Sequence, residues 1–193
     1  MRIIGLGFTA QVGKDVAAEY LEKKYPGKVR RVSFADKLKT VCMDMFGLSS
    51  EQCYGTKKQK ETVDPRYGRT PREIMQEVGD KMRQIVPSIW VDTLFYSTIP
   101  QEVAKGYDCL VISDVRYPNE ADKIHEVGGV VVKVVRDAGG VDVGTSHPSE
   151  TSMLDYTGYD FLIENNSSFE DYFKKIDTMM EEIDGRTQRE HQS

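Results

Sequence analysis

The sequence has few cysteines and no long hydrophobic run, and we expect no leader segment. Its 193 residues include 3 cysteines, without a CxxC pair or a metal-ligand spacing, which argues against a disulfide scaffold and a structural metal site and favours a reducing, cytoplasmic compartment. No stretch approaches the ~20 apolar residues of a membrane span, and glycine interrupts the start MRIIGLG too early for a signal peptide. The length suits one domain with a core of ordinary size.

Basic side chains are the minority: 26 Lys and Arg face 31 Asp and Glu, for a formal net charge of −5. An acidic total argues against a dedicated nucleic-acid binder. The charge is unevenly distributed, since residues 1–83 carry 17 basic and 11 acidic side chains whereas residues 84–193 carry 9 and 20. The first part, with a net charge of +6, is therefore where anionic ligands are expected.

Short apolar runs alternate with amphipathic segments along the chain. Five runs predict β-strands: MRIIGLG, KVRRVSF, DCLVISD, GVVVKVVRD and DFLIENN. Helical segments separate these runs, which predicts an α/β fold with a five-stranded parallel sheet covered on both faces. Ligands bind such sheets beyond the carboxyl ends of the strands, so the residues that follow each strand are the candidates for function.

Capping residues, glycine and proline mark the boundaries of the remaining elements. Residues 49–69 are polar, basic and interrupted by glycine and proline, which predicts a mobile loop. Thr70 opens the segment TPRE, which predicts a capping box for a helix that runs to about Gln84. Gly185 predicts the end of the last helix, with a frayed tail over 186–193.

The segment GLGFTAQVGKD, between the first strand and the first helix, indicates a phosphate-binding loop. Such a loop needs a glycine-permitted backbone, a lysine and a helix N-terminus, which Gly13, Lys14 and a helix from Val16 supply. Phe8 stands where the pattern GxxxxGK[ST] has its first glycine, and Asp15 stands where Ser or Thr ligates Mg²⁺. A carboxylate there predicts Mg²⁺ held through water; an aspartate that favours the first helical turn is the alternative.

Two basic motifs follow in the same part of the chain. In FADKLK, Asp36 can accept a hydrogen bond from an acceptor hydroxyl or base, and either Lys37 or Lys39 can reach a phosphate; a helix N-cap with solvated lysines is the alternative. In GRTPRE, Arg69 and Arg72 surround a helix N-terminus, where guanidinium groups and free amides suit a dianionic phosphate. Exposed arginines without a ligand are the alternative there.

The third and fourth strands each end in charged residues. Asp114 has the position of a carboxylate that meets Mg²⁺ or its waters, and Arg116 follows on the same side of the chain. A buried ion pair between the two is the alternative. Arg136 ends the fourth strand and opens a glycine-rich segment, where its guanidinium can neutralise a transferring phosphoryl group or stack on adenine.

These motifs occur in an order that resembles the phage deoxynucleoside monophosphate kinases over nearly the whole chain: GKD, FADKLK, GRTPREIMQEVGDKMR, IW, VISDVRYPNEA, VVKVVR, HPSE and DFLIENN. The resemblance implies a single three-layer α/β/α P-loop kinase domain. Its expected parts are a core (1–48, 106–136 and 158–185), an acceptor-binding insertion (about 49–105) and a lid (about 137–150). The implied reaction moves the γ-phosphoryl group of ATP, with Mg²⁺, to a deoxynucleoside 5′-monophosphate. A phosphomevalonate kinase-like phosphotransferase and a non-catalytic nucleotide-binding protein are the alternatives.

The residue patterns and the resemblance together predict the site. The residues expected in catalysis are Lys14, Asp36, Arg116 and Arg136. The residues expected at the nucleotide donor are Gly13, Lys14, Asp15, Val16, Arg136, Asn165 and Asn166. The residues expected at the acceptor are Asp36, Lys37, Arg69, Arg72, Trp90, Arg116 and Glu150. Mg²⁺ is expected at Asp15 and Asp114.

For some of these residues a purely structural role is an alternative interpretation. Asn165 and Asn166 also suit turn formation and capping, Trp90 also suits a core position, and the segment HPSE also suits an exposed turn with a helix cap. The expected partners are small nucleotides, with no nucleic acid polymer and no membrane. Dimers occur in the family that the chain resembles, which leaves a homodimer open; a phage-encoded protein would act in the host cytoplasm.

Overall fold

The computed structural model describes residues 1–9, 11–137 and 147–190, with side chains described to residue 185. In chain order its elements are β1 (Arg2–Gly7), α1 (Lys14–Lys24), β2 (Val29–Val32), α2 (Ala35–Phe46), α3 (Ser50–Tyr54), α4 (Lys57–Glu61), α5 (Pro71–Ile85), α6 (Ile89–Thr93), a π-helical turn (Leu94–Thr98), α7 (Ile99–Ala104), β3 (Cys109–Val115), α8 (Pro118–Glu126), β4 (Val130–Val135), α9 (Pro148–Thr151), β5 (Phe161–Glu164) and α10 (Phe169–Glu190). No helix in these described ranges is long and apolar enough to cross a bilayer.

Two compact units divide the chain. The core unit comprises Met1–Val32 and Glu102–Ser193, and the inserted unit comprises Ser33–Gln101. The sequence predicts an insertion over about 49–105. The inserted unit of the structure begins earlier, at Ser33, and therefore includes α2. The physical reason is a small hydrophobic cluster, because Cys42 of α2 is buried against three other buried side chains of the inserted unit: Leu48, Cys53 and Ile74.

The core unit contains the five-stranded sheet that the apolar runs predict. Its strand order is β2-β3-β1-β4-β5, and all neighbouring strands are parallel. β1 is the central strand, and its last residue, Gly7, lies opposite Val115 of β3 and Lys133 of β4. The loop that follows β1 therefore leaves the middle of the carboxyl edge of the sheet, where ligands bind in folds of this kind.

Helices cover both faces of this sheet. On one face, the buried side chains of β1 and β4 pack with those of α1 and α10, among them Ile4, Leu6, Leu21, Tyr172 and Ile176. On the other face, a Cβ atom at Gly5 would lie 2.5 Å from Ile124 Cδ1 of α8, so α8 packs directly on β1. Full burial of one aliphatic side chain stabilises the fold by about 1.5–3 kcal/mol, and these stripes hold the three layers together.

The last helix is longer than predicted. Gly185 was expected to end it, but α10 continues to Glu190, so this end point is wrong; the frayed tail expected over 186–193 stays a prediction. A glycine ends a helix when it takes a left-handed backbone conformation, and Gly185 is not among the glycines with positive φ. Inside a helix it costs only about 1 kcal/mol. Residues 191–193 lie outside the described part of the chain.

The mobile loop predicted over residues 49–69 is also wrong, because α3 and α4 lie there. Each helix begins with a capping box, at Ser49 with Gln52 and at Thr56 with Gln59. The buried Asp64 carboxylate then accepts hydrogen bonds from the Arg66 side chain and from Gln52 Nε2 at 3.1 Å. The predicted capping box of Thr70 is confirmed, and its helix, α5, ends at Ile85.

Candidate active site

The loop between β1 and α1 turns sharply three times. Phe8, Gln11 and Gly13 have positive φ angles of 97°, 61° and 106°, and Gly13 is the N-cap of α1. The helix begins at Lys14, two residues before the predicted start at Val16. Its first N–H groups lack carbonyl partners within the helix, so they and the helix dipole make this N-terminus a seat for an anion.

Lys14 is folded back into the loop that precedes it. The side chain is buried, with 6% of its surface exposed, and Nζ donates hydrogen bonds to the carbonyl oxygens of Phe8, at 3.3 Å, and of Thr9. Burial lowers the pKa of the ammonium from its usual 10.5 to about 8. A buried ammonium without a full counter-charge favours the binding of an anion beside it.

Three further predicted residues act electrostatically on this ammonium. The Arg116 guanidinium lowers the pKa of Lys14 further, whereas the carboxylates of Asp15 and Asp114 raise it. Because these effects are Coulombic and fall off with distance, the ends of β1 and β3 and the start of α1 place the four charges in one neighbourhood. The sequence predicted each of them separately, and the core unit brings them together.

Neighbouring elements hold Arg116 in place. The buried carboxylate of Glu120 accepts hydrogen bonds from the backbone N–H groups of Arg116, at 2.8 Å, and Tyr117, at 3.2 Å. The guanidinium itself donates to the carbonyl oxygen of Ser149 at 3.2 Å. Glu120 was not predicted, although its place three residues after Tyr117 and next to a helix start is typical of a capping carboxylate.

The carboxylate of Asp15 lies at the surface beside a second cation. Its side chain is 74% exposed, and Oδ1 lies 3.4 Å from the Arg31 guanidinium of β2. Within the described ranges, no group of three or more His, Cys, Asp and Glu side chains is placed to hold a metal ion. Mg²⁺ commonly binds one or two carboxylates together with substrate phosphates and water, so Asp15 and Asp114 are a donor set of the right kind.

Two buried side chains brace the phosphate-binding loop from behind. Asn165 Nδ2 donates to the carbonyl oxygen of Val12 at 2.9 Å, and the hydroxyl of Tyr172 donates to that of Gly13 at 3.1 Å. A Cβ atom at Gly13 would lie 2.5 Å from Asn165 Nδ2, so both space and φ require glycine there. Asn165 was expected at adenine; the described contact of its amide is with the loop. Tyr172 was missed because no local pattern marks it.

The loops after β4 and β5 are joined by a pair of hydrogen bonds. Asn166 Oδ1 accepts from the backbone N–H of Asp137 at 2.8 Å, and Asn166 Nδ2 donates to the Asp137 carboxylate at 2.7 Å. Arg136 is exposed beside them. Most of the predicted lid, residues 138–146, lies outside the described part of the chain. Glu150 lies in α9, where His147 is the N-cap, in agreement with the reading of HPSE as a turn and helix cap.

Comparison with known proteins identifies a family. The model of the family named deoxynucleotide monophosphate kinase matches residues 67–176. A protein of Acanthamoeba polyphaga mimivirus, provisionally assigned as a deoxynucleotide monophosphate kinase, is 38% identical over 188 residues, which cover 91% of this chain and 94% of that protein. The chain belongs to the deoxynucleotide monophosphate kinase family. It is therefore a phosphotransferase with a phosphate group as acceptor, and it phosphorylates deoxynucleoside monophosphates.

Solved structures agree with the predicted fold of this deoxynucleotide monophosphate kinase family member. The dephospho-CoA kinase from Campylobacter jejuni has a TM-score of 0.51 at 14% identity, covering 95% of this chain and 98% of that one. A provisionally assigned kinase from Chloroflexus aurantiacus has a TM-score of 0.50 at 13% identity, covering 95% and 96%. At these identities the likeness shows the fold alone, and the predicted α/β kinase fold is confirmed.

Most of the residues that are predicted to bind the phosphate of the acceptor nucleotide lie in the inserted unit. The two arginines among them lie beside carboxylates. Arg69 forms an ion pair with Glu77, and Arg72 lies 3.5 Å from a carboxylate oxygen of Glu61. Arg69 directly precedes the capping box that starts α5, and Arg72 lies within it. Each guanidinium therefore has a carboxylate partner within the inserted unit.

The motif FADKLK forms the first turn of α2. Lys39 Nζ lies 4.2 Å from the ring centroid of Tyr54 and 3.8 Å from Asp36 Oδ1. Lys37, in contrast, is exposed. Of the two lysines that the sequence left open, Lys37 is thus the one that is oriented to solvent, and Lys39 is packed within the inserted unit.

The sole tryptophan lies in the core of the inserted unit. Trp90 is 4% exposed, and its indole N–H donates to the carbonyl oxygen of Gly79 at 3.2 Å. This burial favours the packing role that the sequence gives as the alternative for Trp90. Its expected contact with the substrate stays a prediction.

Proposed function

We propose that the protein transfers the γ-phosphoryl group of ATP to a deoxynucleoside 5′-monophosphate, with the loop before α1 as the donor site. The observation that carries the residue assignment is the buried ammonium of Lys14, which lies in the loop with a pKa of about 8 near Arg116. Lys14 begins α1 and Arg116 is close enough to act on its charge, so the site combines two cations with a helix N-terminus, as a polyphosphate requires.

The reaction asks for charge neutralisation and alignment. An oxygen of the acceptor phosphate, already anionic, attacks the γ-phosphorus, and the bond between that phosphorus and the β,γ-bridging oxygen breaks to release ADP. Because no proton has to be removed from the attacking oxygen, no general base is needed. We assign the neutralising cations as Lys14, Arg116 and Arg136, and Lys14 must exchange the carbonyls of Phe8 and Thr9 for phosphate oxygens.

The donor residues also suit a divalent cation. Asp114 and Asp15 would hold Mg²⁺ directly or through water, since oxygen ligands of this kind and number are what Mg²⁺ takes beside a nucleotide. When bound, the ion would neutralise charge on the phosphate oxygens. The carboxylate of Asp15 would then gain a second cationic partner besides Arg31.

On the acceptor side, we assign phosphate binding to Arg69 and Arg72 of the inserted unit, with Lys37 as a further cation and Asp36 as a hydrogen-bond acceptor for the nucleoside. The support is their position at the start of α5 and α2 and their exchangeable partners, Glu77 and Glu61 among them. We also assign Arg116 and Glu150 of the core unit to the acceptor, as the sequence predicts.

Coupled assays of ADP release test the proposal. We expect turnover with one or more deoxynucleoside monophosphates and none with mevalonate 5-phosphate or without acceptor. Lys14→Ala should abolish transfer, whereas Lys23→Ala, a change at a lysine of α1 that is 80% exposed, should leave it unchanged. Absence of acceptor-dependent turnover across the whole deoxynucleotide panel would refute the proposal, and wild-type turnover by Lys14→Ala would refute the assignment of the loop.

A further inference from the structure

Lys133 lies on an interior strand of the sheet and has no role in the reaction described above. β4 pairs with β1 on one side and with β5 on the other, and Lys133 is half-buried opposite Gly7, the last residue before the phosphate-binding loop. Interior strands of parallel sheets are mostly apolar, and partial burial of an ammonium costs free energy unless something replaces water around it.

Two aromatic rings replace that water. Lys133 Nζ lies 4.3 Å from the ring centroid of Phe8 and 5.4 Å from that of Tyr159, within the range of cation–π attraction. Among the residues that the structure describes, these ring faces are what holds the ammonium. Tyr159 also lies against the start of the loop, since a Cβ atom at Gly7 would be 3.4 Å from its Cε1.

Phe8 is the residue that needs such support. Its φ of 97° lies in the left-handed region that glycine tolerates and a bulky side chain does not, and it occupies the position where the loop pattern GxxxxGK has its first glycine. Its carbonyl oxygen accepts a hydrogen bond from Lys14 Nζ at 3.3 Å. The strained turn at Phe8 is therefore directly connected to the lysine that we assign to the phosphates.

We propose that Lys133 is a positioning residue for the phosphate-binding loop. Its ammonium holds the ring of Phe8 and thereby keeps the left-handed turn that opens the loop, a conformation that glycine reaches without help. Lys133 acts on nucleotide binding through Phe8 and not through contact with the phosphates. The inference rests on the proposed function only in that this loop binds ATP.

A double-mutant cycle on ATP affinity tests this connection. In isothermal titration of ATP with Mg²⁺ and no acceptor, Lys133→Met should raise the Kd about 3- to 30-fold, the range expected for loss of a partly desolvated cation–π contact. Lys133→Arg keeps a cation over the rings and should retain the wild-type Kd to within about twofold, since arginine also forms cation–π contacts. Lys28→Met, at an exposed lysine of the core unit, is the matched control and should change nothing.

The background variant Phe8→Gly decides between a positioning role and direct attraction of phosphate. With glycine at this position the ring and the strain are both absent, so Lys133→Met should then change the Kd by less than about twofold. An equal loss of affinity in both backgrounds would show direct attraction and overturn the proposal, and so would an unchanged Kd in the single variant Lys133→Met.

A second variant covers the case in which Lys133→Met does not fold. Phe8→Leu keeps a side chain on the strained backbone but removes the ring, and it should bind ATP more weakly than both the wild type and Phe8→Gly. If Phe8→Leu binds as tightly as the wild type, the ring of Phe8 has no role and the inference fails. The wild type is measured in the same series, and its own failure to bind ATP would refute the donor-site assignment instead.

Discussion

The affinity for ATP should fall as the pH rises above 8, because Lys14 loses its proton in the free protein. Burial is the main cause of its lowered pKa, and the Arg116 guanidinium adds to it. A polyphosphate beside the ammonium would supply the missing counter-charge and raise the pKa of Lys14 to its ordinary value or above. Binding at alkaline pH therefore takes up a proton, and affinity falls with rising pH.

The size of this effect follows from the pKa of about 8. In the free protein about a tenth of the Lys14 side chains are neutral at pH 7, about half at pH 8 and about nine tenths at pH 9. If the bound form stays protonated, the Kd rises about 25-fold between pH 7.5 and 9.5, approaching tenfold per pH unit. Two cysteine thiols do not interfere, since burial raises the pKa of both Cys42 and Cys109 to about 11.

Calorimetric titration in two buffers of different ionisation enthalpy measures both quantities. We expect an uptake of about 0.5 proton per ATP at pH 8 and about 0.9 at pH 9, with the corresponding rise in Kd. Lys14→Arg is the control, since a guanidinium stays charged throughout this range, and its Kd should be nearly independent of pH. A flat wild-type profile, or the same slope in Lys14→Arg, would show that another group titrates and that the reasoning about Lys14 is wrong.

Three further predictions concern the loop and the inserted unit. Gly13→Ala should abolish measurable ATP binding, because the new Cβ atom would clash with the amide of Asn165. Gly27 also has a positive φ, but nothing lies within 4 Å of its Cβ position, so Gly27→Ala should still bind ATP. Equal affinities of the two variants would contradict the steric reason. Tyr172→Phe removes the hydrogen bond to the Gly13 carbonyl and should lower the free energy of unfolding, measured in urea, by about 0.5–1.5 kcal/mol. It should also weaken ATP binding about 3- to 10-fold, measured by titration. An unchanged Kd would show that this hydrogen bond does not support the loop. The Arg66 side chain and backbone hold the pKa of Asp64 well below its usual range, so this carboxylate stabilises the folded state above about pH 4 and the contribution is lost at lower pH. The difference in unfolding free energy between the wild type and Asp64→Asn should therefore become smaller on acidification. A constant difference would exclude a role for the charge.

The sheet could be predicted because local patterns determine its strands, and the same patterns are the basis on which a donor site is proposed. Runs such as VVKVVR are rich in β-branched residues and lie between helical segments, which indicates a parallel sheet. In such a sheet, ligands bind at the carboxyl ends of the strands. Lys14 and Asp15 begin the helix after β1, Asp114 lies near the end of β3 and Arg116 directly follows it, so the topology places all four toward the carboxyl edge of the sheet. The capping box at Thr70 was likewise contained within four consecutive residues.

The missed features depend on contacts distant in sequence or on elements too short to show a period. α3 and α4 have 5 residues each, little more than one helical turn, so their hydrophobic pattern cannot repeat. Tyr172 and Asn165 reach carbonyls more than 150 positions away, and the left-handed backbone of Phe8 contradicts the preference of its own residue type. Only folding brings these partners together.

The net charge of −5 is compatible with two phosphorylated ligands because several cations already have carboxylate partners. Arg31 lies beside Asp15 in the core unit, and in the inserted unit Arg69 and Arg72 lie beside Glu77 and Glu61. In the proposed acceptor site, Arg69 and Arg72 would bind phosphate by exchanging one anion for another, so the gain would be the difference between a dianion and a single carboxylate. Such exchange at the proposed site would favour dianionic phosphates over monoanionic ligands, and the acidic partners of Arg69 and Arg72 would contribute to the selectivity for a nucleoside monophosphate.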